Sequence, residues 1–145
     1  MRWDDVVYEP GELKVVAYKN GAKWAQEIVK TTGVAAELLA KADRSEILSD
    51  GKDLAFITVQ IADKSGLQVP KANNRIEFSV EGPGEIVATD NGDSFNMESF
   101  ASPCREAFNG LALVIVRFKA GKSGTITVTA KSSGIKKTQI LLKSK

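Results

Sequence analysis

Ile76, Phe78 and Val80 alternate with Glu77, Ser79 and Glu81, the cleanest two-residue period in the chain. A period of two puts every second side chain on one face of a strand, so this segment predicts a half-buried β-strand. The pattern recurs. Ala55, Ile57, Val59 and Ile61 share a face opposite Thr58 and Gln60, with Phe56 breaking the alternation. Ile126, Val128 and Ala130 oppose Thr125, Thr127 and Thr129, and Ile135 to Leu142 closes the series. Glu85 to Thr89 reads as a short strand after the Gly82-Pro83-Gly84 break. Leu111-Ala112-Leu113-Val114-Ile115-Val116 is continuously apolar, the pattern of a central strand covered on both sides. Turn formers separate these segments, and residues 90–110 read as one long polar loop. Many short strands with turns between them predict an all-β sandwich, with Ile57, Val59, Phe78, Val114, Val116, Ile126 and Val128 in its core.

The first residues make a separate unit. Leu13, Val15 and Ala17 alternate with Glu12, Lys14 and Val16, and Asn20-Gly21 is a two-residue hairpin turn, because both positions of that turn require positive φ. The return strand is expected from Lys23 to about Thr31. Trp3, Val15, Ala17, Trp24 and Ile28 would form its apolar face, the two tryptophans belonging to the core of the domain it came from. Two strands with a greasy face are not independently stable. Residues 1–33 therefore read as the last strands of a domain plus a Thr31-Thr32-Gly33 linker, and residues 34–145 as a complete module. The exposed strands of such a fragment invite pairing, so a homodimer built around the hairpin is expected.

One segment contradicts the β reading. Ala35-Ala36-Glu37-Leu38-Leu39-Ala40-Lys41-Ala42 consists almost wholly of strong helix formers. An eight-residue helix is marginal without tertiary support, and a sandwich needs an edge strand here. We read a strand with Leu38, Ala40 and Ala42 on one face.

Composition removes several functions. The chain has no histidine and one cysteine, Cys104, which excludes Ser-His-Asp and Cys-His catalysis, imidazole zinc sites and an intrachain disulfide. With 20 basic and 18 acidic residues and no basic stripe, nothing points to nucleic acid. No apolar run approaches the ~20 residues of a membrane-spanning helix. Met1 is followed by a charged, Trp-bearing segment rather than a signal peptide, which for an excised piece says nothing about the parent's compartment.

The opening W-D-x-V-x-Y-E-P-G-E-L-K-x-V-A-Y-K-N-G resembles the last strands of an immunoglobulin-like domain in bacterial β-galactosidases of glycoside hydrolase family two. The stretches Ala42-Asp43-Arg44, Asp50-Gly51-Lys52-Asp53-Leu54-Ala55-Phe56, Val69-Pro70 with Ala72-Asn73-Asn74, Val80-Glu81-Gly82-Pro83-Gly84, Asp90-Asn91-Gly92-Asp93 and Ala107-Phe108-Asn109-Gly110 are similar to the domain that closes many such enzymes. That domain is related to the bacterial Ig-like modules of adhesins. The resemblance implies an all-β, immunoglobulin-like antiparallel β-sandwich preceded by a partial Ig-like β-hairpin. It also implies a parent that hydrolyses β-galactosides or related β-glycosides with two glutamates on a TIM barrel. No residue here corresponds to those glutamates, so the expected role is a non-catalytic C-terminal accessory domain, partnered by the parent's catalytic and other domains. Such a parent is expected in the periplasm or outside the cell. A carbohydrate-binding module and an adhesin-type surface module are the alternatives.

Ordered loops as long as 90–110 are often functional. Asp90, Asn91 and Asp93 surround a glycine, as in calcium loops, but the fuller ligand series is missing, which favours an Asx-stabilised turn and no metal or other cofactor. Phe95, Phe100 and Phe108 accompany Glu98 and Arg105. Rings beside polar groups suit a sugar or interdomain surface; the competing reading has the phenylalanines pinning the loop to the sandwich edge. The candidate surface is therefore Asp90, Asn91, Asp93, Phe95, Glu98, Arg105 and Phe108. Glu77, Glu81 and Glu85 occupy solvent-facing or turn positions, with no reason for the raised pKa a general acid needs. Cys104 lacks a neighbour to lower its pKa and reads as an inert thiol.

Overall fold

A computed structural model describes residue 4 and residues 6–145. Trp3 lies outside the described residues. The chain forms two compact units, Met1–Thr32 and Gly33–Lys145. All regular structure among the described residues is β.

In the first unit, β1 (Glu12–Lys19) pairs antiparallel with β2 (Ala22–Lys30). Asn20 and Gly21 take φ of 50° and 77°, the two positive values the turn type requires. The expected single apolar face is not what forms. Leu13, Val15 and Ala17 stand opposite Val29, Glu27 and Ala25, whereas Ile28 is paired with Lys14 and so lies on the other face. A bulge at Ala17/Tyr18 shifts the register beside Trp24, which is 71% exposed. The reason is geometric: a bulge inserts one residue and resets which face follows, and sequence spacing across a hairpin does not reveal it.

The second unit contains β3 (Glu37–Ala42), β4 (Glu46–Ile47), β5 (Ala55–Ala62), β6 (Arg75–Glu81), β7 (Gly84–Asp90), β8 (Cys104–Glu106), β9 (Leu111–Phe118), β10 (Thr125–Ser132) and β11 (Ile135–Ser144). One sheet runs β7-β9-β5-β3 and the other β11-β10-β6-β8. They meet at a seam where β3 and β11 run parallel through Glu37 and Lys136, and β4 runs parallel to β11 through Glu46 and Lys143. The sandwich is thus not wholly antiparallel. The first strand crosses from one sheet to the other, and β4 covers backbone groups of β11 that would otherwise be an open edge.

Glu37–Ala42 is a strand despite its helix formers, paired along its length from Glu37/Ala62 to Ala42/Ile57, with Leu38 buried. Tertiary pairing outweighs a propensity difference of a few tenths of a kcal/mol per residue. The seven expected core side chains are all buried, joined by Ile61, Ile76, Phe118 and Leu142, and each such side chain contributes about 1.5–3 kcal/mol. In β9 only Ala112, Val114, Val116 and Phe118 face that core; Leu111, Leu113 and Ile115 on the other face are half-buried. The two-sided cover expected from its unbroken apolar run is absent in this unit.

Asp63 ties the start of the module to the turn after β5. Its carboxylate accepts the backbone N–H of Gly33 at 2.7 Å, Ser65 at 2.8 Å and Leu67 at 3.1 Å. These donors, Gly33 foremost, hold its pKa below the ordinary carboxylate value against the opposing effect of burial. A depressed folded pKa contributes stability that is full above the unfolded value of about 3.9 and is lost as pH falls through the folded value. Asp63→Asn presents an amide donor to one of these N–H groups and does not titrate. Thermal melts should place the variant below the parent chain at pH 7, with the gap closing below about pH 4. An equal gap at pH 7 and pH 2 would contradict this account.

Candidate functional site

The loop from Asn91 to Pro103 leaves the end of β7 and returns through β8. The sequence reading missed β8, which pairs with β6 through Ile76/Arg105 and Glu77/Cys104. Its buried position is Arg105, followed just beyond the strand by Ala107, so the apolar alternation that would have announced a strand is missing.

Arg105 is therefore not a surface residue: it is 1% exposed. Its guanidinium donates Nη2 to the Thr89 carbonyl at 2.8 Å, Thr89 Oγ1 at 3.1 Å and the Ser99 carbonyl at 2.8 Å. Nη1 reaches the Glu98 carbonyl at 2.9 Å and Asn96 Oδ1 at 3.1 Å, and Nε reaches Thr89 Oγ1 at 3.3 Å. A planar fork of donors suits several carbonyls converging from one loop. The Phe100 ring lies 5.8 Å from the guanidinium carbon, within cation–π range.

Glu98 braces the same loop from outside. It forms a two-pronged ion pair with Arg75, at 2.6 and 3.3 Å, and accepts the Ser102 hydroxyl at 3.0 Å. The Arg75 hydrogen bond leads the effects that hold its pKa below the usual range, with burial opposing. A carboxylate kept ionised in this way is a structural anchor, the opposite of a general acid.

The remaining polar side chains serve their own backbone. Asp90 Oδ1 accepts the N–H of Asn91 and Gly92, Asn91 Oδ1 that of Asp93, and Asp93 Oδ1 that of Phe95. Asn91 also donates to the Glu106 carbonyl. Consecutive Asx turns of this kind make the 90–95 segment a self-braced bend. Among the described residues, no three His, Cys, Asp or Glu side chains gather where they could hold a metal ion.

The phenylalanines do not pin the loop. Phe95 is 88% exposed, Phe100 63% and Phe108 42%, and Met97, which the sequence reading passed over, is 93% exposed. The pinning is done instead by Arg105, Asn96 and Thr89, which let apolar side chains project from a stiff frame. The Phe95-x-Met97 pair inside a polar loop was a legible signal. The Arg105 partners were not, because they are assembled by loop closure.

The family comparison decides what kind of domain this is. The profile for the glycoside hydrolase family 2 C-terminal domain 5 matches residues 38–141. The chain belongs to this family. The profile of a domain of unknown function, DUF4982, matches residues 1–25. The β-galactosidase BoGH2A of Bacteroides ovatus is 40% identical over 131 residues, covering 90% of this chain and 15% of that protein. A β-glucuronidase of Formosa agariphila is 31% identical over 145 residues, covering 99% of this chain and 14% of the relative. A family 2 glycosyl hydrolase structure from Bacteroides cellulosilyticus superposes with a TM-score of 0.92 at 33% identity, over 97% of this chain and 18% of that one. This family 2 C-terminal domain thus spans about one-seventh of the curated relatives it matches. The braced loop and its Arg105 anchor both fall inside the matched span.

Proposed function

We propose that the chain is a non-catalytic accessory part of a longer family 2 glycoside hydrolase, one that cleaves O-glycosidic bonds of β-galactosides or β-glucuronides, and that its role is architectural. The observation that carries this reading is the use of the loop's polar side chains. Asp90, Asn91, Asp93, Asn96 and Arg105 are bonded to the loop's own backbone or to each other, and Glu98 to Arg75 and Ser102. Chemistry on a glycoside needs a carboxylic acid with a raised pKa beside a second free carboxylate, and Glu98 is held in the other direction. The family membership of residues 38–141 supports the same reading. The purified chain should show no release of nitrophenol from 4-nitrophenyl β-galactoside or β-glucuronide above buffer. Turnover that stays proportional to the chain through repeated purification would overturn the proposal.

The exposure of Phe95 and Phe100 on a stiff loop favours one second reading, glycan binding, since apolar sugar faces stack on rings. Calorimetric titration with galactosides and soluble polysaccharides separates the two. Saturable heat that disappears in Phe95→Ala supports a binding module, and its absence supports the architectural role.

A further inference from the structure

The two outer faces of the sandwich are built differently. On the β10-β6 side the outward ladder is polar: Thr127 stands opposite Glu81, Thr129 opposite Ser79 and Lys131 opposite Glu77. Leu141, paired with Thr127 and 60% exposed, is the apolar exception. On the β9-β5-β3 side the outward ladder is richer in apolar side chains, with Thr58, Gln60 and Lys41 between them. Phe56 stands opposite Ile115, Thr58 opposite Leu113, Gln60 opposite Leu111, and Leu39 opposite Gln60. A sheet face meant for water alternates apolar-in with polar-out, and one chain follows that rule on one sheet and departs from it on the other. The unbroken Leu111–Val116 run has the composition of a strand covered twice, yet the opposite sheet covers only one side of it.

We propose that the outward face of β9, β5 and β3 is a docking surface, and that its occupant is an apolar protein surface elsewhere in the same longer polypeptide. This rests on the accessory-domain reading above. The occupant follows from three facts. Aliphatic Leu39, Leu111, Leu113 and Ile115 outnumber the single ring of Phe56, which suits a protein surface better than a sugar. Charge sits at the margins of the ladder: Arg117 and Glu85 pair with each other at 2.7 Å toward β7, and Lys41 stands on β3 opposite Thr58. About 85% of the length of the Bacteroides ovatus relative lies outside the matched segment. None of the five side chains is more than 40% exposed. That is a small area beside the roughly 1,200–2,000 Å² buried in a stable complex between free proteins, but it suffices for a tethered contact with millimolar effective concentration.

The test is hydroxyl-radical footprinting with mass spectrometry, applied to the 145-residue chain and to the longer polypeptide, with Leu141 as internal reference. The labelling ratio Phe56/Leu141 should fall about fivefold in the longer polypeptide, as for a residue in the dry centre of an interface. Leu113 and Ile115 should follow it. An unchanged ratio overturns the proposal. So does protection of Phe56 in the 145-residue chain that grows with its concentration, which would make a second copy the occupant. Footprinting uses no substitution, so folding of a variant is not at issue. Its outcome is independent of the nitrophenol assay: glycoside turnover would sink the accessory reading whatever Phe56 shows, and an unprotected Phe56 would sink only the docking face.

Discussion

Replacing Arg105 with leucine should lower the unfolding free energy of the module by about 2–4 kcal/mol, because one buried and two part-buried carbonyls lose their donor together. The guanidinium satisfies the main-chain oxygens of Thr89, Glu98 and Ser99 while only 1% exposed. Each buried acceptor left unpaired costs about 1–3 kcal/mol. Leucine fills part of the volume but donates nothing. Water entering from the loop side recovers some of the loss, which keeps the expectation below the full sum. Arg105→Lys should fall between the two, since an ammonium is a point donor and cannot span the same fork of acceptors. Urea unfolding followed by circular dichroism measures the series. A loss within about 1 kcal/mol for Arg105→Leu would mean that the loop, not the guanidinium, holds itself. The same variant should raise amide exchange across residues 96–102, where Arg105 holds Asn96 Oδ1 and the Glu98 and Ser99 carbonyls.

A second large effect is expected at the turn into β9. Asn109 and Gly110 have φ of 52° and 77°, and a Cβ on Gly110 would stand 2.4 Å from the Val69 carbonyl oxygen and 3.2 Å from its carbon. Neither neighbour is free to retreat. Val69 N–H bonds to the Ile61 carbonyl, Ile61 N–H to the Gly110 carbonyl and Gly110 N–H to the Ala72 carbonyl, all at 2.8–2.9 Å. Gly110→Ala therefore combines left-handed strain of about 1–2 kcal/mol with an overpacking penalty of about 1–3 kcal/mol. Gly134 is the control. Its φ is 71°, yet nothing lies within 4 Å of the position a Cβ would take, so Gly134→Ala should cost the strain alone. Equal losses for the two variants would remove the clash from the explanation.

The contrast between these glycines shows where sequence reading stops. Asn109-Gly110 and Ser132-Ser133-Gly134 are both plain turn signals, and a turn is what each forms. Nothing nearby in sequence says that Val69, some forty residues earlier, passes over one and not the other. The hairpin has the same character. Its turn was legible in Asn20-Gly21 because positive φ is a property of single residues, while the bulge that moves Ile28 to the face opposite Leu13 depends on strand register.

The sequence by itself determined the all-β class, most strand positions and the core list, since a two-residue period is a local consequence of strand geometry. It also determined the family resemblance and the absence of imidazole chemistry. Only the tertiary structure decided that Arg105 is an internal clamp rather than a surface group, that β8 exists, and that Phe95 and Met97 project outward. The physical reason is common to all three. A buried charge is tolerated only where enough acceptors converge on it, and Thr89, Asn96, Glu98 and Ser99 converge on Arg105 only after the loop has closed.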